Sequence, residues 1–175
     1  MKSVLISMRP RWVEKIASGK KTIEVRKTAP REVPFKCYIY CTKDKYYPFD
    51  IDEGKVIGEF ICDKLYEFTY NCNVGEYNIG KGSLKRTCLS YSKLKAYGKV
   101  KTLYGWYISD LKIYDKSKEL SEFISPMRAK NCVALCKNGI CSDGKYEELC
   151  DVKLRCEYKK VTRAPRSSWC YVEEI

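Results

Sequence analysis

The sequence predicts an α+β fold, and three observations carry that prediction. Short runs of period-two alternation recur from the N-terminus to the last residues. Helical periodicity is confined to two places, near residues 10–18 and 87–97. The resulting order of strand, helix, several strands, helix and strands lacks the regular strand–helix alternation of a parallel-sheet fold. No internal repeat or low-complexity tract interrupts it.

Taken in order, residues 3–7 alternate weakly, carry the β-branched Val4 and Ile6, and read as a first strand. Arg9-Pro10 opens a helix, because proline's missing N–H costs nothing in the first turn. Trp12, Val13, Ile16 and Ala17 form its apolar face, opposite Glu14, Lys15 and Ser18. Gly19 suits the left-handed residue that ends a helix. Residues 22–26 then alternate strictly, Ile23 and Val25 on one side, Thr22, Glu24 and Arg26 on the other. Pro30 and Pro34 bound a loop. Residues 35–42 read as a strand with Cys37, Ile39 and Cys41 opposite Tyr38 and Tyr40. After a polar connection containing Pro48, residues 55–62 read as another, in which Val56, Gly58 and Phe60 alternate with Ile57, Glu59 and Ile61.

Residues 64–85 are rich in Tyr, Asn and Gly, lack periodicity and read as loop. Thr87 caps a helix to Tyr97, with Leu89, Leu94 and Tyr97 apolar and Gly98 as terminator. Residues 103–114 supply one or two strands with Trp106, Ile108, Leu111 and Ile113 as core candidates. Residues 119–123 form a short helical or extended piece, and residues 169–172 a closing strand.

The 175 residues fit one domain, residues 1–175, large enough to bury a core without disulfides. At 45% hydrophobic and 32% charged residues the chain is globular rather than disordered. Lysine and arginine outnumber aspartate and glutamate 34 to 22, and the net charge of +12 attracts polyanions. Histidine is absent, which excludes a Ser-His-Asp triad, a Cys-His dyad and a histidine-ligated metal. Acid–base chemistry would have to use carboxylates, Lys, Tyr or Cys. The N-terminus lacks the apolar run of a signal peptide, and no window approaches a membrane span. A cytoplasmic chain is therefore expected, its 11 cysteines mostly reduced, since an odd count fits poorly with a complete disulfide framework. Oligomeric state is left open.

The candidate site is residues 19–26. A helix ending at Gly19 and turning directly into a strand presents Lys20 and Lys21, and the strand's polar face adds Thr22, Glu24 and Arg26. Arg26 offers a planar fork for phosphate or carboxylate. Lys21 offers a point charge, or a proton-transfer group if desolvated beside Glu24. Glu24 could accept from the exocyclic amine of a base. A solvated strand face would carry the same pattern.

This arrangement of Ser7-Met8-Arg9-Pro10, a helix, and then Gly19-Lys20-Lys21-Thr22-Ile23-Glu24-Val25-Arg26 resembles the ASCH family of the PUA-like superfamily. The family's Gly-x-Lys-Thr-x-Glu-x-Arg segment is matched by Gly19, Lys21, Thr22, Glu24 and Arg26. Residues 55–60 resemble a barrel strand of these proteins, and residues 104–111 and 168–172 the last strands of phage and prophage members from Firmicutes. The resemblance implies a small, partly open mixed β-barrel flanked by helices, a cleft lined by the motif, and an RNA or nucleotide-like ligand. Arg9, Lys20, Lys21, Thr22, Glu24, Arg26, Trp106, Arg166 and Ser168 are the candidate binding residues. Some relatives are amidohydrolases that deacetylate N4-acetylcytidine with a Lys, a Thr and a distal Glu. Lys21 matches their Lys, Glu24 occupies their Thr position, and Glu59 and Glu67 are the candidates for the acid. If the chain is an enzyme, Lys21 and Glu24 are its catalytic candidates. Other relatives are metal-assisted ribonucleases, and no carboxylate pair for a metal is evident here.

Residues 127–160 form a cysteine-rich insertion before the last strand. Cys132, Cys136, Cys141 and Cys150, with Cys156 as alternate, lie among the turn formers Asn138-Gly139 and Asp143-Gly144. Such spacing suits a structural zinc site or an Fe–S cluster, and equally a set of reduced structural cysteines. Cys37, Cys41 and Cys62 read as small buried hydrophobes. The 15 tyrosines can stack on bases or simply favour strands. Three functions stay open: an RNA-binding module, a hydrolase of a modified nucleoside, and a phage factor that binds a host protein.

Overall fold

The computed structural model describes residues 1–47, 52–124, 161, 163–165 and 169–174. The chain begins with β1 (Lys2–Met8), α1 (Pro10–Ala17), β2 (Ile23–Arg26), β3 (Phe35–Cys41) and β4 (Val56–Cys62). It continues through β5 (Leu65–Phe68), β6 (Tyr70–Asn71), β7 (Glu76–Tyr77), α2 (Lys81–Thr87) and α3 (Tyr91–Gly98). Then come β8 (Leu103–Tyr107), β9 (Ser109–Lys118), a 3-10 turn over Leu120–Glu122, β10 (Phe123–Ile124), β11 (Trp169–Tyr171) and β12 (Glu173–Glu174). The α+β class is as expected.

Two sheets organise these elements. The larger has the order β11-β1-β3-β4-β9, parallel only between β1 and β3. The smaller, β2-β8-β5, is antiparallel throughout. Among the described residues the expected barrel is not closed, because β8 bonds only within the smaller sheet and β9, one residue later, only to β4.

The main core lies between the sheets. Val4, Ile6, Phe35, Cys37, Ile39 and Phe60 meet Trp106 of β8 and Val13 and Ile16 of α1. Behind the larger sheet, Leu5, Tyr38 and Val56 pack on Phe123, Val161 and Val172. Behind the smaller one, Ile23, Val25, Phe68 and Leu103 pack on Leu94 of α3. The smaller sheet thus packs on both faces, and all four residues of β2 are buried.

Several expected elements change. Residues 64–85 hold β5, β6, β7 and most of α2 rather than a loop. Their weak alternation becomes structure because β8 supplies the ladder, pairing Leu65 with Trp106 and Phe68 with Leu103. The expected 87–97 helix is two helices: Thr87 ends α2, and Ser90 caps α3 by accepting from Lys93 N. Gly98 does not turn the chain; Lys99 does, at φ +49°. Alternation in β4 also fails, since Val56 faces the rear core while Ile57 and Phe60 face the main one. The register shift between Val56 and Gly58 against β9 is the cause. Ile113 is 41% exposed instead of core, because it pairs with Gly58 and lies over that bare backbone.

Candidate functional site: a cationic cleft beside the second strand

Helix α1 starts as expected, with Pro10 in its first turn, and ends at Ser18 with Gly19 left-handed at φ +71°. That turn delivers Lys21 immediately before β2. Because β2 is an edge strand of the smaller sheet, its main-core face meets the open end of β1 and the start of α1 instead of packed side chains. Glu24 and Arg26 occupy that face.

These three side chains form a buried ion-pair cluster, at 3% exposure for Lys21, 7% for Glu24 and 9% for Arg26. Lys21 Nζ lies 3.2 Å from Glu24 Oε2, and Arg26 Nε 2.9 Å from Glu24 Oε1. Lys21 also donates to Ile23 O at 2.9 Å and to Thr87 O at 2.7 Å. Two carbonyls thus accept from the ammonium, and the Glu24 carboxylate faces it as a counter-ion. Arg26 Nη2 donates to Ser7 O at 2.9 Å. Its buried Nε–H is not aimed at the carboxylate despite the short distance, so that approach is an ion pair rather than a hydrogen bond. A polar face this enclosed is not the solvated strand face that the pattern also allowed.

Above the cluster opens a cleft of about 580 Å³. Ser7, Met8, Arg9, Arg11 and Trp12 form one wall; Leu89, Lys93 and Tyr97 form the other; Lys21, Glu24, Val25 and Arg26 form the floor. Trp12 carries cations against its ring, with Arg11 Cζ at 4.9 Å, Lys15 Nζ at 5.2 Å and Lys21 Nζ at 5.3 Å from the centroid. Lys27 Nζ sits 4.9 Å from the Tyr97 centroid. Burial pushes the Tyr97 phenol up; Arg26 pulls it down, Glu24 pushes it up, and the Lys27 backbone N–H pulls it down again. Glu24 is the only carboxylate that lines the cleft among the described residues, and both of its oxygens already face cations.

The expected site residues divide. Arg9, Lys21, Glu24 and Arg26 come together in the cleft. Thr22 does not; its Oγ1 accepts from Arg86 Nε at 3.0 Å, tying β2 to α2. Lys20 is exposed and off the cleft, its carbonyl accepting from the Cys88 thiol. Trp106 is fully buried in the main core, edge-on to Phe35 at 5.0 Å and to Trp169 at 5.8 Å, since residues opposite Glu24 on the adjacent strand point inward between the sheets. Arg166, Ser168 and the cysteines Cys132, Cys136, Cys141, Cys150 and Cys156 lie outside the described residues. Among the described residues no group of His, Cys, Asp or Glu could hold a metal. Of the acids considered for a distal role, Glu59 is paired with Lys36 and bonded by Tyr114 on the far face of the larger sheet, and Glu67 is exposed on β5.

Arg11, Trp12, Lys93 and Tyr97 also line the cleft and lie outside the candidate set that the sequence marks. Trp12 carried a legible signal: it stands one residue before Val13, at the margin of the helical stripe, where a large aromatic is half-covered. Lys93 and Tyr97 are four apart and so share a side of α3, but nothing local brings that side to β2.

Solved structures share this architecture. The ASCH protein of Zymomonas mobilis superposes with a TM-score of 0.51 at 20% identity, over 68% of this chain and 74% of that one. Two single-residue variants of it give 0.51 and 0.52 at 21% identity, covering 69% and 68% of this chain and 77% and 75% of theirs. The chain has the fold of these ASCH structures. No family model matches the sequence, and no curated protein does. At this identity the likeness shows the fold and carries no residue's role.

Proposed function

We propose that the cleft binds RNA or a nucleotide, with Arg9, Arg11 and Lys93 taking phosphate and Trp12 or Tyr97 taking a base. The observation that carries this reading is the charge balance of the lining. Arg9, Arg11, Lys21, Arg26 and Lys93 face a single carboxylate, which is already paired. An anion entering the cleft therefore meets guanidinium and ammonium groups with no competing acid, beside aromatic rings suited to stacking. The ASCH-like fold is consistent with this reading.

A hydrolase would need Lys21 or Glu24 to move a proton. Lys21 donates to two carbonyls and is paired with Glu24, and Glu24 is held between two cations, so no observation favours turnover over binding.

The test is fluorescence anisotropy with a labelled RNA tetranucleotide. Arg9→Ala combined with Arg11→Ala should weaken binding at least tenfold, since a charged hydrogen bond contributes about 1.5–3 kcal/mol. Trp12→Ala should cost a further stacking contribution of about 1–3 kcal/mol. Unchanged affinity in both variants would overturn the reading.

A further inference from the structure

We infer that the outer surface of α2 and α3 is a track for single-stranded RNA, so that the ligand is a strand and not a mononucleotide. This deepens the proposed function and rests on it. Between Glu76 and Asp110 the chain has no acidic residue. That interval builds α2, α3 and β8, and its helices and their caps place Lys81, Lys85, Lys95, Lys99 and Lys101 exposed on the surface. None of these lysines is in an ion pair among the described residues, whereas the ion pairs that do occur lie on the strands and the segments joining them. Arg86 is excluded from the surface set, because its guanidinium is spent on Thr22 and lies over the Tyr107 ring.

The unit that carries these lysines also borders the cleft. Leu89, Lys93 and Tyr97 form one wall of the cleft and belong to the same helical unit. A cavity of about 580 Å³ has room for a single nucleotide-sized group. A longer strand must leave over a wall, and beyond the wall that carries Lys93 the α2–α3 unit exposes lysines and no acid. A phosphodiester backbone, negative at every step, is matched by a surface free of acids.

The test compares a 4-nucleotide with a 16-nucleotide unstructured RNA on the native chain and on a Lys81→Gln/Lys85→Gln/Lys95→Gln variant, none of whose substituted residues lines the cleft. The native chain should bind the longer RNA at least tenfold tighter. The variant should bind the shorter RNA as the native chain does and forfeit most of the advantage on the longer one. Its log–log salt slope on the longer RNA should be shallower by about 2, at roughly 0.7 for each phosphate that is no longer neutralised. Equal native affinities for the two lengths, or an unchanged slope in the variant, would overturn the track. The Arg9→Ala/Arg11→Ala variant separates the two claims. If it binds the tetranucleotide like the native chain, the cleft reading fails, while the lysine variant still reports on the track alone.

Discussion

Glu24 stands between two buried cations, and its charge is what makes their burial tolerable. Glu24→Gln would leave Lys21 and Arg26 enclosed without a counter-ion, and breaking a buried pair in this way costs about 3–5 kcal/mol. Urea unfolding should therefore show a loss of about 3 kcal/mol or more; a change below about 1 kcal/mol would mean that solvent already screens the cluster. The identity of these residues was legible in the sequence, because a strand of strict alternation had to place Glu24 and Arg26 on one side. Their pairing was not. Lys21 reaches Glu24 only because the chain turns at Gly19, and one of its two carbonyl acceptors, that of Thr87, comes from a helix 66 residues away.

The helices carry the next level of specification. Ser90 is the side-chain cap of α3, so Ser90→Ala should destabilise by about 1 kcal/mol in thermal or urea unfolding. Gly98→Ala should cost more. A Cβ there would stand 1.9 Å from the Tyr77 hydroxyl, which also holds Lys101 O at 2.7 Å, and overpacking of this kind costs about 1–3 kcal/mol. Combining it with Tyr77→Phe should recover part of that loss, whereas a purely conformational role for Gly98 predicts no recovery. The sequence pointed to a glycine at the end of this helix but attached the wrong reason to it. Positive φ falls on Lys99 and Val100, and Gly98 is small because a tyrosine from another element passes over it. Strand β5 was missed for a related reason: a four-residue strand has too few alternations to declare itself until β8 lies beside it.

Across the whole molecule, the central sheet buries Cys37, Cys41 and Cys62 completely. Burial pushes all three thiols up, Cys41 and Cys62 to about 12 from an ordinary 9.0 and Cys37 well above it. Between those values the unfolded chain has lost protons that the folded one keeps, so folding stability should be flat in these groups below about pH 9 and fall from there towards pH 12. Denaturant midpoints measured at steps across that range would show a decline that Cys→Ala at one position lessens; a flat profile would refute it. Mapped alkylation at pH 8 should likewise modify the exposed Cys72 and spare these three until the chain unfolds.

The α+β class, the opening strand–helix–strand and the grouping of Lys21, Glu24 and Arg26 in one segment were determined by local pattern: alternation, a proline start, a glycine stop and a dense cationic charge. Those signals act within a few residues, so the sequence alone could express them. Only the tertiary structure decided which groups share the cleft. It brought Arg11, Trp12, Lys93 and Tyr97 to the motif, sent Thr22 to Arg86 and buried Trp106, because these outcomes depend on which sheet edge and which helix meet across the core.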